Sequence, residues 1–246
     1  MPPKKKQPEN NEMINFYQHK EIQTMLPEYY NPHYADTQIQ LPFRAGIIAS
    51  SGGGKTSFLL NLIAKTNDTW GHIFICYKTS EPLYEFLAKK IGSKNITFFT
   101  SLSQVPQPNE LPKDKQILLV FDDMVNESDK AHQIVKEYMI RGRKIGKGVS
   151  TVYLSQSFFK IPKLVRLQLN YLIILKLSSV RDLNLMLSDF SLGVDRNELA
   201  MIYKDATKKK FDFLKVDIDN PDNNKKFSRN WTGFYTLDDD SDEEEG

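Results

Sequence analysis

Cysteine is almost absent from the sequence, because Cys76 is the only one among 246 residues. An intramolecular disulfide is therefore excluded, and with it the class of small folds that disulfides hold together. The apolar residues around Cys76 predict a buried thiol. Long apolar runs are also missing: no segment approaches the roughly 20 residues that cross a bilayer, and residues 1–8 lack the apolar stretch of a signal peptide. We expect a protein of a reducing, intracellular setting that does not insert into a membrane.

Acidic residues are outnumbered by basic residues outside the last nine positions of the sequence. The sequence has 33 Lys and Arg against 31 Asp and Glu, and seven of these acids lie within residues 238–245. The rest of the chain therefore has 24 acids against the same 33 bases. Such a basic body fits a surface that faces nucleic acid, with a tail that competes for it or recruits a partner. A solvated surface with a disordered tail fits the same charges equally well.

Three regions differ in composition and periodicity. Residues 1–36 are rich in Pro, Asn, Gln and Lys and predict a partly irregular arm, whereas residues 238–246 predict an acidic disordered tail. Between them, residues 37–237 alternate short β-rich runs with segments of helical spacing, which predicts a single α/β domain. The expected strands cover residues 44–49, 72–77, 96–100, 116–121, 150–154 and 171–177, and the expected helices cover 55–65, 82–91, 129–141, 162–169, 180–190 and 195–206.

A glycine-rich segment follows the first expected strand and opens the first expected helix. Residues 49–56 read Ala-Ser-Ser-Gly-Gly-Gly-Lys-Thr, with Ala49 where the usual pattern has its first glycine. The glycines let backbone N–H groups surround a phosphate, the helix N-terminus adds positive potential, and Lys55 reaches the β- and γ-phosphates. Thr56 is placed to ligate Mg²⁺. The segment therefore predicts that ATP with Mg²⁺ is bound by Ser51, Gly52, Gly53, Gly54, Lys55, Thr56 and Ser57.

Polar side chains follow two further strands of this domain. The most apolar run ends in Asp122 and Asp123, and the run at 150–154 is followed shortly by Gln156. Parallel strands end at one edge of a sheet, where these side chains would meet the phosphate loop. Asp122 is then the ligand of Mg²⁺, Asp123 orients or deprotonates the attacking water, and Gln156 senses the γ-phosphate. The alternatives are a turn or helix cap for the two aspartates and a backbone-bonded strand end for Gln156.

The segment after Gln156 carries a more specific pattern. Residues 153–162 read Tyr-Leu-Ser-Gln-Ser-Phe-Phe-Lys-Ile-Pro, and Asn170-Tyr171 leads into another apolar run. Together with the Gly-Lys-Thr loop and the Asp-Asp strand, this segment resembles the genome-packaging ATPases of large double-stranded DNA viruses, in the FtsK/HerA-like superfamily. The resemblance spans residues 43–203. It implies a RecA-like P-loop NTPase core, a mostly parallel central sheet flanked by helices.

The resemblance also implies a sheet with an additional strand between the phosphate-loop strand and the Asp-Asp strand. The runs at 72–77 and 96–100 have the lengths to supply the intervening strands. It further implies a homo-oligomeric ring around DNA, in which an arginine from the neighbour completes each ATP site. Arg143 and, as a second choice, Arg141 follow the helix at 129–141 and are the candidates for that arginine. The same basic segment could instead stabilise its helix end or grip DNA phosphates.

The function that the resemblance implies is an ATP-driven motor that moves double-stranded viral DNA into a preformed capsid. Its expected partners are double-stranded DNA, other copies of the chain, and capsid or portal and vertex proteins. Its expected location is the viral assembly site in the cytoplasm or nucleus of the host cell, with the virion as a further location. Two alternatives stay open: a nucleoside or nucleotide kinase, or another phosphotransferase with such a loop, and a module that binds nucleotide without hydrolysing it. The kinase would need an acceptor pocket and an arginine-bearing lid, and the chain has only seven arginines.

Overall fold

The computed structural model describes residues 14–190 and 192–237, so the expected acidic tail at 238–246 lies outside the described residues. The strands are β1 (Arg44–Ile48), β2 (His72–Tyr77), β3 (Ile96–Phe99), β4 (Ile117–Asp122), β5 (Val149–Ser155), β6 (Tyr171–Ile174), β7 (Leu214–Asp217), β8 (Phe227–Arg229) and β9 (Gly233–Phe234). The helices are α1 (Lys20–Met25), α2 (Tyr34–Thr37), α3 (Lys55–Lys65), α4 (Pro82–Ile91), α5 (Gln133–Arg141), α6 (Lys163–Arg166), α7 (Val180–Asp189), α8 (Arg196–Ala206) and α9 (Asn223–Lys226). Short 3₁₀ helices cover Phe16–Gln18, Leu102–Gln104, Met124–Asn126 and Gly142–Lys144.

The described strands form a sheet in the order β3-β2-β4-β5-β1-β6-β7-β8-β9. All neighbouring pairs from β3 to β6 are parallel, and β7, β8 and β9 extend the sheet in antiparallel fashion. Parallel neighbours require crossover connections, which the intervening helices supply. The predicted α/β class with a mostly parallel central sheet is confirmed. Because the parallel strands all end at one edge, the segments that follow β1, β2, β4 and β5 meet there.

The expectation that the runs at 72–77 and 96–100 lie between the phosphate-loop strand and the Asp-Asp strand is wrong. β2 and β3 lie beyond β4, and β5 occupies the place between β1 and β4. A strand in the middle of such a sheet has to bury both faces. All seven residues of β5 are buried, whereas only Ile96 of the edge strand β3 is buried. The additional strand is therefore the one that leads to Gln156.

The antiparallel extension was not predicted, and two helices are shorter than expected. β7, β8 and β9 have four, three and two residues, which is too short for a clear alternation of apolar and polar side chains. The expected helix at 129–141 begins at Gln133, since Ser128 first forms a turn by accepting the N–H of Ala131. The expected helix at 162–169 ends at Arg166, where the chain turns toward β6.

Two apolar layers cover the two faces of the sheet. α3 and α4 pack on one face, with Leu118 and Val120 of β4 beneath them. α5, α7 and α8 pack on the other face, over Leu119 and Phe121 of the same strand. This alternation along β4 follows from the opposite orientation of successive side chains in a strand. Burial raises the pKa of the fully buried Cys76 thiol to about 12, which confirms the predicted buried thiol.

Within residues 14–190 and 192–237, no helix combines the length and the apolar character needed to cross a bilayer.

Candidate active site

The glycine-rich loop connects β1 to α3 at the carboxyl edge of the sheet. Its first residues are tied to the strands on either side of β1: the Ala49 N–H donates to the Ser155 carbonyl (3.2 Å), and the Ser50 N–H donates to the Lys176 carbonyl (3.1 Å). The Ser50 hydroxyl donates to the same Lys176 carbonyl (2.8 Å). The loop is thus held by the backbone on both sides before it turns into the helix.

Two glycines of the loop are required by its geometry. Gly54 has a φ of 96°, in the left-handed region where a side chain is strained, and it is the N-cap of α3. A Cβ on Gly53 would lie 2.7 Å from the Ser50 carbonyl oxygen, which is closer than real Cβ atoms come to other atoms. The loop therefore turns tightly with its backbone exposed at a helix N-terminus, which favours anion binding.

A cleft of about 330 Å³ opens above the loop and collects residues from separate parts of the chain. Lys55 and Thr56 of the loop, Asp122 and Asp123 after β4, and Gln156 after β5 all line it. Gly52, Gly54 and Ser57 line it as well, whereas Ser51 and Gly53 belong to the loop without lining the cleft. The amino group of Lys55 lies 3.4 Å from the Ala49 carbonyl oxygen. The structure therefore brings together the predicted phosphate, metal and water residues.

Asp122 is a buried carboxylate with a specific partner. It is 7% exposed, and the Tyr84 hydroxyl of α4 donates to its Oδ2 at 2.6 Å. Thr56, the other predicted metal ligand, lines the same cleft as Asp122. Burial raises the pKa of Asp122, and the Tyr84 hydrogen bond and Lys55 partly oppose this rise.

The oxygen atoms near Asp122 fit a magnesium site with few protein ligands, rather than a site in which three or more side chains surround the metal. In the part of the chain that the structure describes, no group of three or more His, Cys, Asp or Glu side chains could hold a metal. Magnesium typically takes one or two protein oxygens and completes its shell with water and substrate phosphates. A buried carboxylate beside a threonine hydroxyl is such an arrangement, and the cation would also favour the ionised form of Asp122.

In the described structure, the side chains of Asp123 and Gln156 do not make the hydrogen bonds of a helix cap or of a backbone-bonded strand end. Asp123 adopts a left-handed conformation with a φ of 56°, and its side chain makes no capping hydrogen bond to the 3₁₀ helix that follows. Its N–H donates to the Leu154 carbonyl at 3.2 Å, which fixes it beside the end of β5. Gln156 is exposed, and the hydrogen bonds of the described residues do not include its side chain. Both side chains are available to a ligand in the cleft.

Arg141 and Arg143 lie away from this cleft. Arg141 is the last residue of α5, and Arg143 lies in the 3₁₀ helix that follows; both precede the amino end of β5, which is at the opposite edge of the sheet from Gln156. Both are exposed, and Arg141 pairs with Glu137 at 3.2 Å. Arg141 also lines a groove of about 1030 Å³ together with three lysines, Lys113, Lys130 and Lys144. Neither arginine is among the residues that line the cleft of its own chain.

Sequence reasoning missed several residues of the site, among them Glu81, Tyr84 and Phe211. Glu81 and Phe211 line the cleft, and Tyr84 binds Asp122. Glu81 had a usable signal, because it follows the end of β2 just before Pro82 opens α4, and that strand ends at the same edge as β4. Phe211 had none, since it comes from a turn far along the chain, after α8.

The chain is similar in sequence to known viral proteins. A family profile described as "Poxvirus A32 protein" matches residues 32–218. The DNA packaging protein OPG160 of variola virus is 24% identical over 148 residues, which cover 54% of this chain and 53% of that protein. The chain thus spans about half the length of the curated relatives it matches.

Solved structures share the architecture. B204, the DNA-packaging ATPase from Sulfolobus turreted icosahedral virus, is 13% identical with a TM-score of 0.53, over 78% of this chain and 98% of that chain. The genome packaging NTPase B204 from Sulfolobus turreted icosahedral virus 2, in complex with AMPPCP, is 11% identical with a TM-score of 0.53, over the same shares. At such low identities, these similarities show the fold alone.

Proposed function

Because the chain belongs to the poxvirus A32 protein family, we propose that it is an ATP-driven motor that moves double-stranded DNA into a viral capsid. The observation that carries the proposal is the cleft in which Lys55, Thr56, Asp122, Asp123 and Gln156 converge from separate segments. The relatives support it, since one is named a DNA packaging protein and a structural neighbour a DNA-packaging ATPase.

The geometry supports the following division of work in hydrolysis. Lys55 and the loop N–H groups hold the β- and γ-phosphates in place. Thr56 and Asp122 would hold Mg²⁺, which neutralises charge on the phosphate oxygens. Asp123 accepts a proton from the water whose oxygen bonds to the γ-phosphorus, and the bond to the β-phosphate oxygen breaks to give ADP and phosphate. Gln156 contacts the γ-phosphate or the water and so distinguishes ATP from ADP.

The proposal includes an assembly of several copies. Arg141 and Arg143 are exposed on the opposite side from the cleft, where they are accessible to another subunit or to DNA. We place the protein in a homo-oligomeric ring around DNA that docks on capsid or portal and vertex proteins. The work then takes place at the viral assembly site in the infected cell.

A nucleotide kinase fits the site less well. Such an enzyme needs arginines that close over the transferred phosphate, and among the described residues no arginine lines the cleft. Arg166 and Arg229 are instead paired with Asp189 (2.7 Å) and Asp212 (2.6 Å). Gln156 also has no evident task in transfer to a small acceptor.

The proposed function predicts that long double-stranded DNA stimulates ATP hydrolysis by the purified chain. Because the contact with DNA phosphates is electrostatic, the stimulation should weaken steeply as salt concentration rises. Phosphate release is measured with DNA, without DNA, and with a panel of nucleosides as acceptors. Two results would together refute the motor in favour of the kinase: a hydrolysis rate that DNA does not change, and transfer of phosphate to a nucleoside.

A second prediction concerns the Tyr84 hydroxyl. Tyr84→Phe removes the hydrogen bond that orients Asp122, and losing such an outer partner typically weakens a metal site by about tenfold or more. We expect the Mg²⁺ concentration for half-maximal hydrolysis to rise by about that factor. Tyr77→Phe is the matched control, because Tyr77 stacks on Tyr84 at 5.3 Å but does not bond Asp122. An unchanged magnesium dependence in Tyr84→Phe would contradict the role assigned to Asp122.

A further inference from the structure

A second cleft opens beside the phosphate loop, on the side away from the carboxylates. It has a volume of about 330 Å³, and its walls include Phe211, Phe213 and Trp231. Gly54, Ser57 and Phe211 line both this cleft and the phosphate cleft. The two spaces therefore adjoin at the N-terminus of α3.

One face of α3 forms a wall that leads away from the phosphates. Gly54, Ser57, Phe58 and Asn61 line the second cleft, and their spacing of three or four residues puts them on one side of the helix. Lys55 and Thr56, which line the first cleft, lie at the start of the same helix. A nucleotide with its terminal phosphates at Lys55 thus has an open path for its nucleoside along this face.

Phe211 is held in an unusual conformation between the two clefts. Its φ is 71°, which strains a bulky residue and needs compensation from the surrounding structure. Its ring lies against the loop, with Cδ1 2.7 Å from where a Cβ on Gly54 would be, yet the residue is 55% exposed. Burial of an apolar side chain therefore does not account for the strain. A strained, exposed aromatic ring at the rim of a cleft is instead typical of a ligand contact.

The opposite wall is rigid and aromatic. Phe58, Phe213 and Trp231 pack against one another with ring centroids 4.8–5.1 Å apart. The buried Lys215 donates to the Trp231 carbonyl at 2.6 Å and holds that turn in place. Both ends of the Asn230 side-chain amide are also engaged, with the Phe213 N–H and the Asp212 carboxylate. This wall therefore offers ring surfaces rather than free hydrogen-bonding groups.

We propose that the second cleft binds the purine base of the nucleotide, which stacks on Phe211 against the wall formed by Phe213 and Trp231. The inference rests on the proposed function, because it assumes that ATP occupies the phosphate cleft. Stacking depends on ring area more than on hydrogen bonds. The site therefore favours purine over pyrimidine nucleotides and distinguishes adenine from guanine only weakly.

The test separates base binding from phosphate binding. Calorimetry measures the affinity of the full chain for Mg-ATP and for Mg-tripolyphosphate, which has the phosphates without a base. Phe211→Ala should bind ATP about tenfold more weakly than the native chain does, as expected when one base–aromatic stack is removed. Its affinity for tripolyphosphate should equal that of the native chain. Phe211→Gly should behave like Phe211→Ala, since it relieves the backbone strain but also lacks the ring. Phe86→Ala is the control, because Phe86 is similarly exposed at 52% but lines neither cleft.

The other possible outcomes contradict the base site, the proposed function or both. Equal loss for both ligands in Phe211→Ala would mean that Phe211 supports the loop instead of the base, and no loss for either would place the base elsewhere. A native chain that binds ATP no more tightly than tripolyphosphate would overturn the base site while leaving the proposed function intact. A native chain that binds neither ligand would overturn both. The ratio of GTP to CTP affinity gives an independent reading, and we expect it to exceed one in the native chain and to approach one in Phe211→Ala.

Discussion

Lys55→Ala is expected to reduce ATP hydrolysis by about two to three orders of magnitude, the usual effect of removing a group that stabilises transition-state charge. Lys55 is the first residue of α3 and lines the cleft between the loop and the carboxylates, where we expect its ammonium group to contact the γ-phosphate. Among the described residues that line the cleft, no other carries a positive charge, so we expect no other side chain to substitute for Lys55. Steady-state phosphate release measures the effect.

The control for this variant is Lys89→Ala, which removes an exposed lysine from the last turn of α4 and should leave hydrolysis unchanged. The melting temperature of Lys55→Ala should match that of the native chain, since Lys55 makes no ion pair in the described structure. Retention of most of the hydrolysis would refute the phosphate role of the loop.

Arg143→Ala is expected to lower hydrolysis by about three orders of magnitude, if it supplies charge to the site of a neighbouring subunit. Because Arg143 lies far from its own cleft, the defect should be complemented in trans. A mixture of Arg143→Ala with Lys55→Ala would contain interfaces that pair an intact Lys55 with an intact Arg143. We expect this mixture to hydrolyse ATP well above the rate of either variant alone.

Two comparisons sharpen the arginine experiment. Arg141→Ala is tested in the same way, since Arg141 lies beside Arg143 but already pairs with Glu137. Arg196→Ala removes an exposed arginine from the first turn of α8 and should have no effect. If Arg143→Ala keeps its basal hydrolysis and loses only the stimulation by DNA, the residue grips DNA phosphates and the trans role is wrong.

The sequence predicted the elements whose periodicity is strong and left the arrangement of strands open. α3, α4 and β2 have the predicted bounds, because the two helices are periodic segments with clear ends and β2 is a short, continuous apolar run. The order of strands was predicted wrongly, because run length does not report which strand is central. Burial on both faces does report it, and all seven residues of β5 are buried. The division into an arm, a single domain and a tail stays a prediction.

The candidate site was predictable where it depends on strand ends and unpredictable where it depends on distant turns. The loop and the carboxylates follow strands, and parallel strands bring such segments together whatever else the chain does. Tyr84 and Phe211 enter the site through helix packing and through the turn before β7, which no local pattern in the sequence encodes. The resemblance to viral packaging ATPases is confirmed by the family match, whereas the roles of the individual site residues stay predictions.

The central strand β5 connects the cleft at one edge of the sheet with the turn that contains Arg143 at the other edge. Its carboxyl end holds Ala49 of the loop and Asp123 through backbone hydrogen bonds, and it leads directly to Gln156. At its amino end the turn with Arg143 packs so closely that a Cβ on Gly142 would lie 3.0 Å from the Val149 carbonyl oxygen. A buried strand of seven residues, roughly 23 Å long at the usual rise, does not stretch or bend easily. If the chain forms the proposed ring, a displacement of the loop or of Asp123 would be transmitted along this strand to the far side of the subunit, where the neighbouring copy would lie.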